Sequence, residues 1–292
     1  MSEPRSPAPG ASRASHPDRA APVQAPAAWR SGHEARDGQA APTDPGRVAS
    51  DAPGLLALDW PAPANVRAFT TTRGGGQSEA PFSSLNLGFG SGDVRETVNA
   101  NRHLVAAAAA MPDEPAWLSQ VHGTKCVDAA DVGKDDRADA SYTSERGRVC
   151  AIMTADCLPV LICDAAGTQV AAAHAGWRGL AAGVIESTVA AFESNDLLAW
   201  LGPCIGPEAF EVGPEVRTAF IVEDTDAERC FVANRPGHWL ADLHGLARLR
   251  LARAGIADVY ALARCTYTET SAFFSYRRDG QTGRMASFIW LD

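Results

Sequence analysis

Apolar residues fall in short blocks from about residue 55 onward, separated by Gly, Pro and Asp. Residues 66–71 alternate apolar and polar, the period of a half-buried strand. Residues 149–154, 158–163 and 169–174 are nearly unbroken apolar runs, which predicts buried strands. Pro159 stands at the start of the second run, where a missing N–H does least harm. Residues 117–123 and 197–201 read as shorter strands, 125–128 as an extended piece, and 258–263 as another strand. Helical signals lie between these blocks. Asp93, with Glu96 three residues on, has the spacing of a capping box and predicts a helix to about Ala110, ended by Pro112. Its His103 is expected on the surface. Gly176 and Gly179 bracket Trp177-Arg178 before a helix expected over 180–193. Pro214 opens a helix to about Ile221 at the position where proline is favoured. Leu240, Leu243, Ala247 and Leu251 recur at helical spacing, closed by Gly255. Residues 72–76, 131–148, 202–207 and 222–237 read as turns or surface loops, with Ala138-Asp-Ala140 of the second a candidate to touch the site. No repeat or heptad is present. Strands and helices intermix without a regular βαβ rhythm, so the expected class is α/β: an α+β layered sandwich, a single mixed-sheet domain flanked by helices.

Composition changes this picture at one end. Residues 1–54 hold nine prolines and no period, and their six Arg balance six Asp and Glu. Such a segment buries too little apolar area to offset its ordering entropy. It is expected to be a disordered tail, leaving a catalytic domain over 55–292 and placing the formal net charge of −9 on that domain. An acidic body disfavours a nucleic-acid partner. No apolar run reaches membrane-spanning length, and no apolar signal core is present. Seven scattered cysteines, an odd number, fit reduced thiols in a cytoplasm.

The candidate chemistry sits at strand ends. Cys157 follows residues 149–154, His174 ends residues 169–174, and His122 ends residues 117–123. One thiol and two imidazoles are the donor types that zinc takes in catalytic sites with an open position. Their spacing matches no short zinc motif. On residue types alone, a buried structural Cys or a metal-free Cys157–His174 nucleophile pair competes with a metal site. Asp156 is either a support for a ligand imidazole or a turn cap. Arg73 beside its glycines, Arg178, Arg277 and Arg278 suit a phosphate or carboxylate, or else surface ion pairs. Phe273, Phe274 and Tyr276 suit either a flat ring or the core. The remaining cysteines read as packing residues, and His238 and His244 as structural.

The motifs Thr71-Thr-Arg-Gly-Gly75, Ser84-Leu-Asn-Leu-Gly88, Gln120-Val-His-Gly123, Thr154-Ala-Asp-Cys-Leu-Pro159, Ala173-His-Ala-Gly-Trp-Arg-Gly179, Leu201-Gly-Pro203 and Phe274-Ser-Tyr-Arg-Arg-Asp-Gly280 together resemble the YfiH family. That family is also called the laccase-domain or polyphenol oxidase family. The resemblance covers residues 55–292 in consistent order. It implies a single layered domain with one zinc held by His122, Cys157 and His174, copper being the other metal to consider. It implies purine nucleosides and phosphate as partners, in phosphorolysis of adenosine, inosine, guanosine and methylthioadenosine, and adenosine deamination. Substrate contacts carried onto its motifs are Arg73, Asn86, Asp156, Arg178 and Arg278. A monomer is expected. A laccase-like oxidase fits poorly, because several coppers need about ten His and Cys in clusters, and the body has five His. The family often has Lys before the tryptophan occupied here by Trp239; this chain has His238. Two other classes stay open: a Cys-dependent amide or peptide hydrolase that edits peptidoglycan precursors, and a redox- or metal-binding partner protein.

Overall fold

The computed structural model describes residues 54–133 and 137–292. Apart from Gly54, the expected tail lies outside the described residues. Two sheets pack face to face. The first has the order β1 (Leu55–Ala57), β2 (Val66–Thr71), β14 (Met285–Leu291), β6 (Cys150–Thr154) and β3 (Ala116–Trp117). The second has the order β13 (Asp258–Ala261), β9 (Leu197–Leu201), β7 (Leu158–Asp164), β8 (Val170–Ala175), β5 (Ala140–Thr143) and β4 (Cys126–Asp128). Phe69, Ile152, Phe288 and Trp290 of the first sheet meet Leu161, Cys163, Ala172 and Trp200 of the second. Phe69 and Phe288 are register partners whose rings stack at 4.9 Å.

Helices cover the other face of the second sheet. Leu158, Val160, Ile162, Ala171 and Ala173 pack against Leu180, Val184, Ile185, Leu246 and Leu251. These come from α2 (Trp177–Ala182), α3 (Val184–Val189) and α5 (Leu243–Arg253). Strand β7 is therefore buried on both faces, which is the reason for its unbroken apolar run. A small third sheet, β10 (Glu211–Val212), β12 (His238–Ala241) and β11 (Phe231–Arg235), joins α4 (Pro214–Ile221) on this side. Helix α1 (Arg95–Ala108) packs Val105 into the core between the two sheets, and α6 (Tyr276–Asp279) is a single turn. Among the described residues, no helix is long and apolar enough to cross a membrane.

The layering is the expected one, with two packed sheets and a small third in place of one mixed sheet. Other expectations are corrected. Residues 131–148 are not simply a surface loop. They contain β5, whose fully buried Ala140 and Ser141 pair with the equally small Ala173 and Ala172 of β8. Residues 222–237 contain a 3-10 turn (Thr225–Cys230) and β11. The strand expected over 117–123 ends at Trp117. The helix expected over 180–193 begins earlier, at Trp177, and is split by Gly183 at φ +104°. Leu240 belongs to β12, so α5 starts at Leu243. Asp93 does not cap α1. Its carboxylate accepts from Ser78 Oγ at 2.6 Å and Asn86 Nδ2 at 2.9 Å, and the helix starts at Arg95.

Candidate metal centre

The antiparallel pairing of β7 and β8 sets Pro159 opposite His174. Cys157, in the turn that leads from β6 into β7, thus lies at the sheet end where β8 delivers His174. His122 arrives from the loop after β3. Its Nε2 is 3.9 Å from Cys157 Sγ, and its ring centroid is 4.8 Å from that of His174. The three donor atoms all lie within 4.8 Å of one another. His174 is buried, Cys157 half-buried and His122 exposed, so the cluster opens to solvent on one side.

One residue that sequence reasoning placed in a surface loop holds two of these segments together. Asp139 is fully buried. Its Oδ1 accepts from His122 N at 2.8 Å and His174 Nδ1 at 2.9 Å. Its Oδ2 accepts from Val121 N at 3.1 Å and Gly123 N at 2.6 Å. Burial raises the Asp139 pKa, but the His174 hydrogen bond and the loop N–H groups outweigh it and keep the carboxyl below its usual range. With Nδ1 committed to Asp139, His174 has Nε2 left for a ligand, the arrangement by which carboxylates orient metal-bound imidazoles. Asp139 left only a faint signal: an acid among small residues near a candidate site.

The donor set fits a borderline-soft ion. Burial pushes the Cys157 thiol up, yet the charge of His174 and the hydrogen bonds from both imidazoles bring it down to about 6. Burial lowers His174, but the Cys157 thiolate and Asp139 raise it to about 9. The metal-free cluster is therefore a thiolate–imidazolium pair, the charge pattern that a dipositive ion would replace. Room is kept by Gly176. A Cβ there would lie 2.9 Å from His122 Cδ2 and 3.0 Å from Cys157 Sγ. His122 and Asp156 also sit at positive φ, +60° and +91°. Such backbone costs about 1–3 kcal/mol in non-glycine residues and collects at functional sites.

The other sequence candidates are placed as follows. Asp156 has no hydrogen bond to either imidazole. Its Oδ1 accepts from Thr266 Oγ1 at 2.6 Å and its Oδ2 from Arg277 N at 2.7 Å, tying the Cys157 turn to two later segments. Asn86 is fully buried and spends its amide on Ser91, Asp93, Gly88 N and Arg284 N. Arg73 donates to Ser83 O and Thr270 O and lies over Phe274. Arg278 donates to the carbonyls of Thr266, Tyr267 and Phe273 and pairs with Asp279. Arg178 stacks on Trp177 and lines a groove of about 620 Å³ between α2, α4 and α5, whose walls include none of the three donors. Phe273 and Phe274 are core, while Tyr276 is 62% exposed. Cys126, Cys150, Cys163, Cys204 and Cys230 are all raised by burial. Buried His244 bonds the Gly202 carbonyl oxygen.

Known proteins share much of this sequence and fold. A family model described as multi-copper polyphenol oxidoreductase laccase matches residues 67–292. The purine nucleoside phosphorylase YfiH of Escherichia coli is 54% identical over 240 residues, covering 81% of this chain and 98% of that protein. The crystal structure of protein NMB0706 of Neisseria meningitidis superposes with a TM-score of 0.80 at 51% identity, over 82% of this chain and 99% of that one. That of a hypothetical protein YfiH of Bacillus licheniformis gives a TM-score of 0.77 at 33% identity, over 83% and 98%. By the extent of these matches, the chain belongs to the multi-copper polyphenol oxidoreductase laccase family, the YfiH-type proteins.

Proposed function

We propose that this chain is a zinc-dependent purine nucleoside phosphorylase, with His122, Cys157 and His174 as the metal ligands. It converts adenosine, inosine, guanosine or methylthioadenosine and phosphate to the free base and ribose 1-phosphate, and it also deaminates adenosine. The observation that carries the reading is the convergence of one thiolate and two imidazoles in a chain 54% identical to a protein named purine nucleoside phosphorylase. Among the described residues this is a single three-donor group, too few ligands for a multicopper centre. Two nitrogens, one sulfur and an open side are the donor set of a mononuclear catalytic zinc site.

When bound, the ion would supply Lewis acidity and positive charge at the open side of the cluster. The chain does the positioning. Asp139 fixes the His174 tautomer and holds the His122 loop through three N–H groups. Asp156 locks the Cys157 turn from the far side, through Thr266 and Arg277. The exposed side of His122 leaves a nucleoside access, and the exposed Tyr276 ring, next to the Arg277 N–H that holds Asp156, offers a flat face to a purine. In phosphorolysis a phosphate oxygen bonds the anomeric carbon as the carbon–nitrogen bond to the purine breaks. Holding phosphate and nucleoside together there makes the displacement effectively unimolecular.

Chromatography of adenosine and inosine with metal-replete protein tests the reading. Free base and ribose 1-phosphate are expected only with phosphate present, and inosine from adenosine in both cases. Absence of base release at any phosphate concentration would overturn it.

A further inference from the structure

Arg284 is absent from the sequence candidates, and its surroundings differ from those of the other arginines near the cluster. The ladder between β14 and β6 ends at Met285 opposite Thr154. Arg284, the residue before Met285, thus lies at the end of the ladder from which the chain leaves Thr154 for the Asp156-Cys157 turn. Its Nη1 donates to Thr282 O and Gly283 O, both at 2.9 Å. No carboxylate of the described residues pairs with it, and Nε and Nη2 have no protein partner among its bonds. The side chain is half-buried. Burial lowers its pKa, and the charges of Cys157 and Asp156 act in the opposite direction.

The chain builds a cradle for this arginine. Asn86 Oδ1 accepts from Arg284 N at 2.9 Å. The stem lies against Gly88, where a Cβ would come within 2.6 Å of Arg284 Cγ. The guanidinium carbon is 6.0 Å from the centroid of the exposed Tyr276 ring. A planar fork held at its stem, free on one edge and in ion-pair contact with no carboxylate of the described residues, matches a phosphate oxygen pair.

We propose that Arg284 is the phosphate-binding residue of this site: its free Nε–Nη2 edge takes two oxygens of inorganic phosphate beside the Cys157 turn. This rests on the phosphorolysis reading and adds to it the place of the anionic substrate. The test is calorimetric titration of inorganic phosphate into the metal-replete full chain, with the phosphate KM for inosine cleavage measured in parallel. Wild type is compared with Arg284→Met, Arg284→Lys and the exposed control Arg148→Met. Arg284→Met is expected to weaken phosphate at least about tenfold, or about 1.4 kcal/mol, Arg284→Lys less, and Arg148→Met not at all. Should Arg284→Met fail to fold, phenylglyoxal labelling of wild type replaces it, with phosphate expected to protect Arg284. Unchanged phosphate affinity in Arg284→Met, or no protection, overturns the assignment even if phosphorolysis is observed. Phosphate binding that depends on Arg284 in a protein that cleaves no nucleoside upholds the assignment and overturns the phosphorolysis reading instead.

Discussion

Asp139 and His174 are joined twice. The His174 backbone N–H donates to the Asp139 carbonyl at 2.7 Å, and its Nδ1–H donates to the Asp139 carboxylate at 2.9 Å. The first bond belongs to the contact of β5 with β8; the second turns that contact into a ligand orientation. Because the same carboxylate also holds three N–H groups of the His122 loop, two of the three donors depend on one buried acid.

Asp139→Asn keeps the shape but turns one acceptor into a donor, leaving one or two buried N–H groups unpaired. At about 1–3 kcal/mol for each lost acceptor, the variant is expected to lose about 2–4 kcal/mol in urea unfolding. Metal affinity should fall about 10–100-fold, the usual effect of removing a carboxylate that orients a ligand. Chelator competition reads the second effect. Unchanged unfolding and unchanged affinity would remove Asp139 from the account.

Gly176→Ala separates room from backbone strain. Its φ is −61°, which any residue adopts, so the added methyl acts through its contacts with His122, Cys157 and His174. Metal affinity is expected to drop roughly tenfold or more, as for other disturbed ligand shells, while the melting temperature of the metal-free protein stays within a few degrees. A variant that binds metal as wild type does would show that the donors move apart freely.

Cysteine reactivity in the metal-stripped protein follows the charge pattern. Cys157, lowered to about 6, is a thiolate at pH 7 and loses that state as pH falls through 6. Cys126 is raised to about 11, and Cys150, Cys163 and Cys230 to about 12. Brief iodoacetamide treatment at pH 7 should therefore label Cys157 first, more slowly at pH 5, and hardly at all once metal is restored. Peptide mass spectrometry decides. Equal labelling of Cys157 and Cys126 would contradict the His174–Cys157 pairing.

Much of the frame was legible because its strands announce themselves. Strand β7 reads as an apolar run, since large side chains fill both faces, and Pro214 marks the first residue of α4. The three donors stood out by type and by their places at strand ends. Strand β5 and Asp139 did not. Ala-Ser-Tyr-Thr carries little hydropathy, and its burial comes from fitting small residues against the alanines of β8. Strand β11 hid for a different reason: Ala233, Asn234 and Arg235 face solvent on a small sheet. Asp93 had the spacing of a cap, but the hydroxyl of Ser78 and the amide of Asn86 reach it through the fold.

Phe288→Ala probes the frame apart from the chemistry. Phe288 is fully buried, stacked on Phe69 and edge-on to Trp117. Truncation is expected to cost about 3–5 kcal/mol in urea unfolding without changing metal stoichiometry in the folded fraction. A loss under 1 kcal/mol would mean that the first sheet does not rely on these ring contacts.

Elemental analysis of the purified full chain, beside His122→Ala and Cys157→Ala, tests the central claim most directly. Wild type is expected to carry about one zinc per chain, as a mononuclear site requires, and both variants to lose it together with base release from inosine. Fully active protein without metal would contradict the account and make Cys157 a nucleophile instead of a ligand.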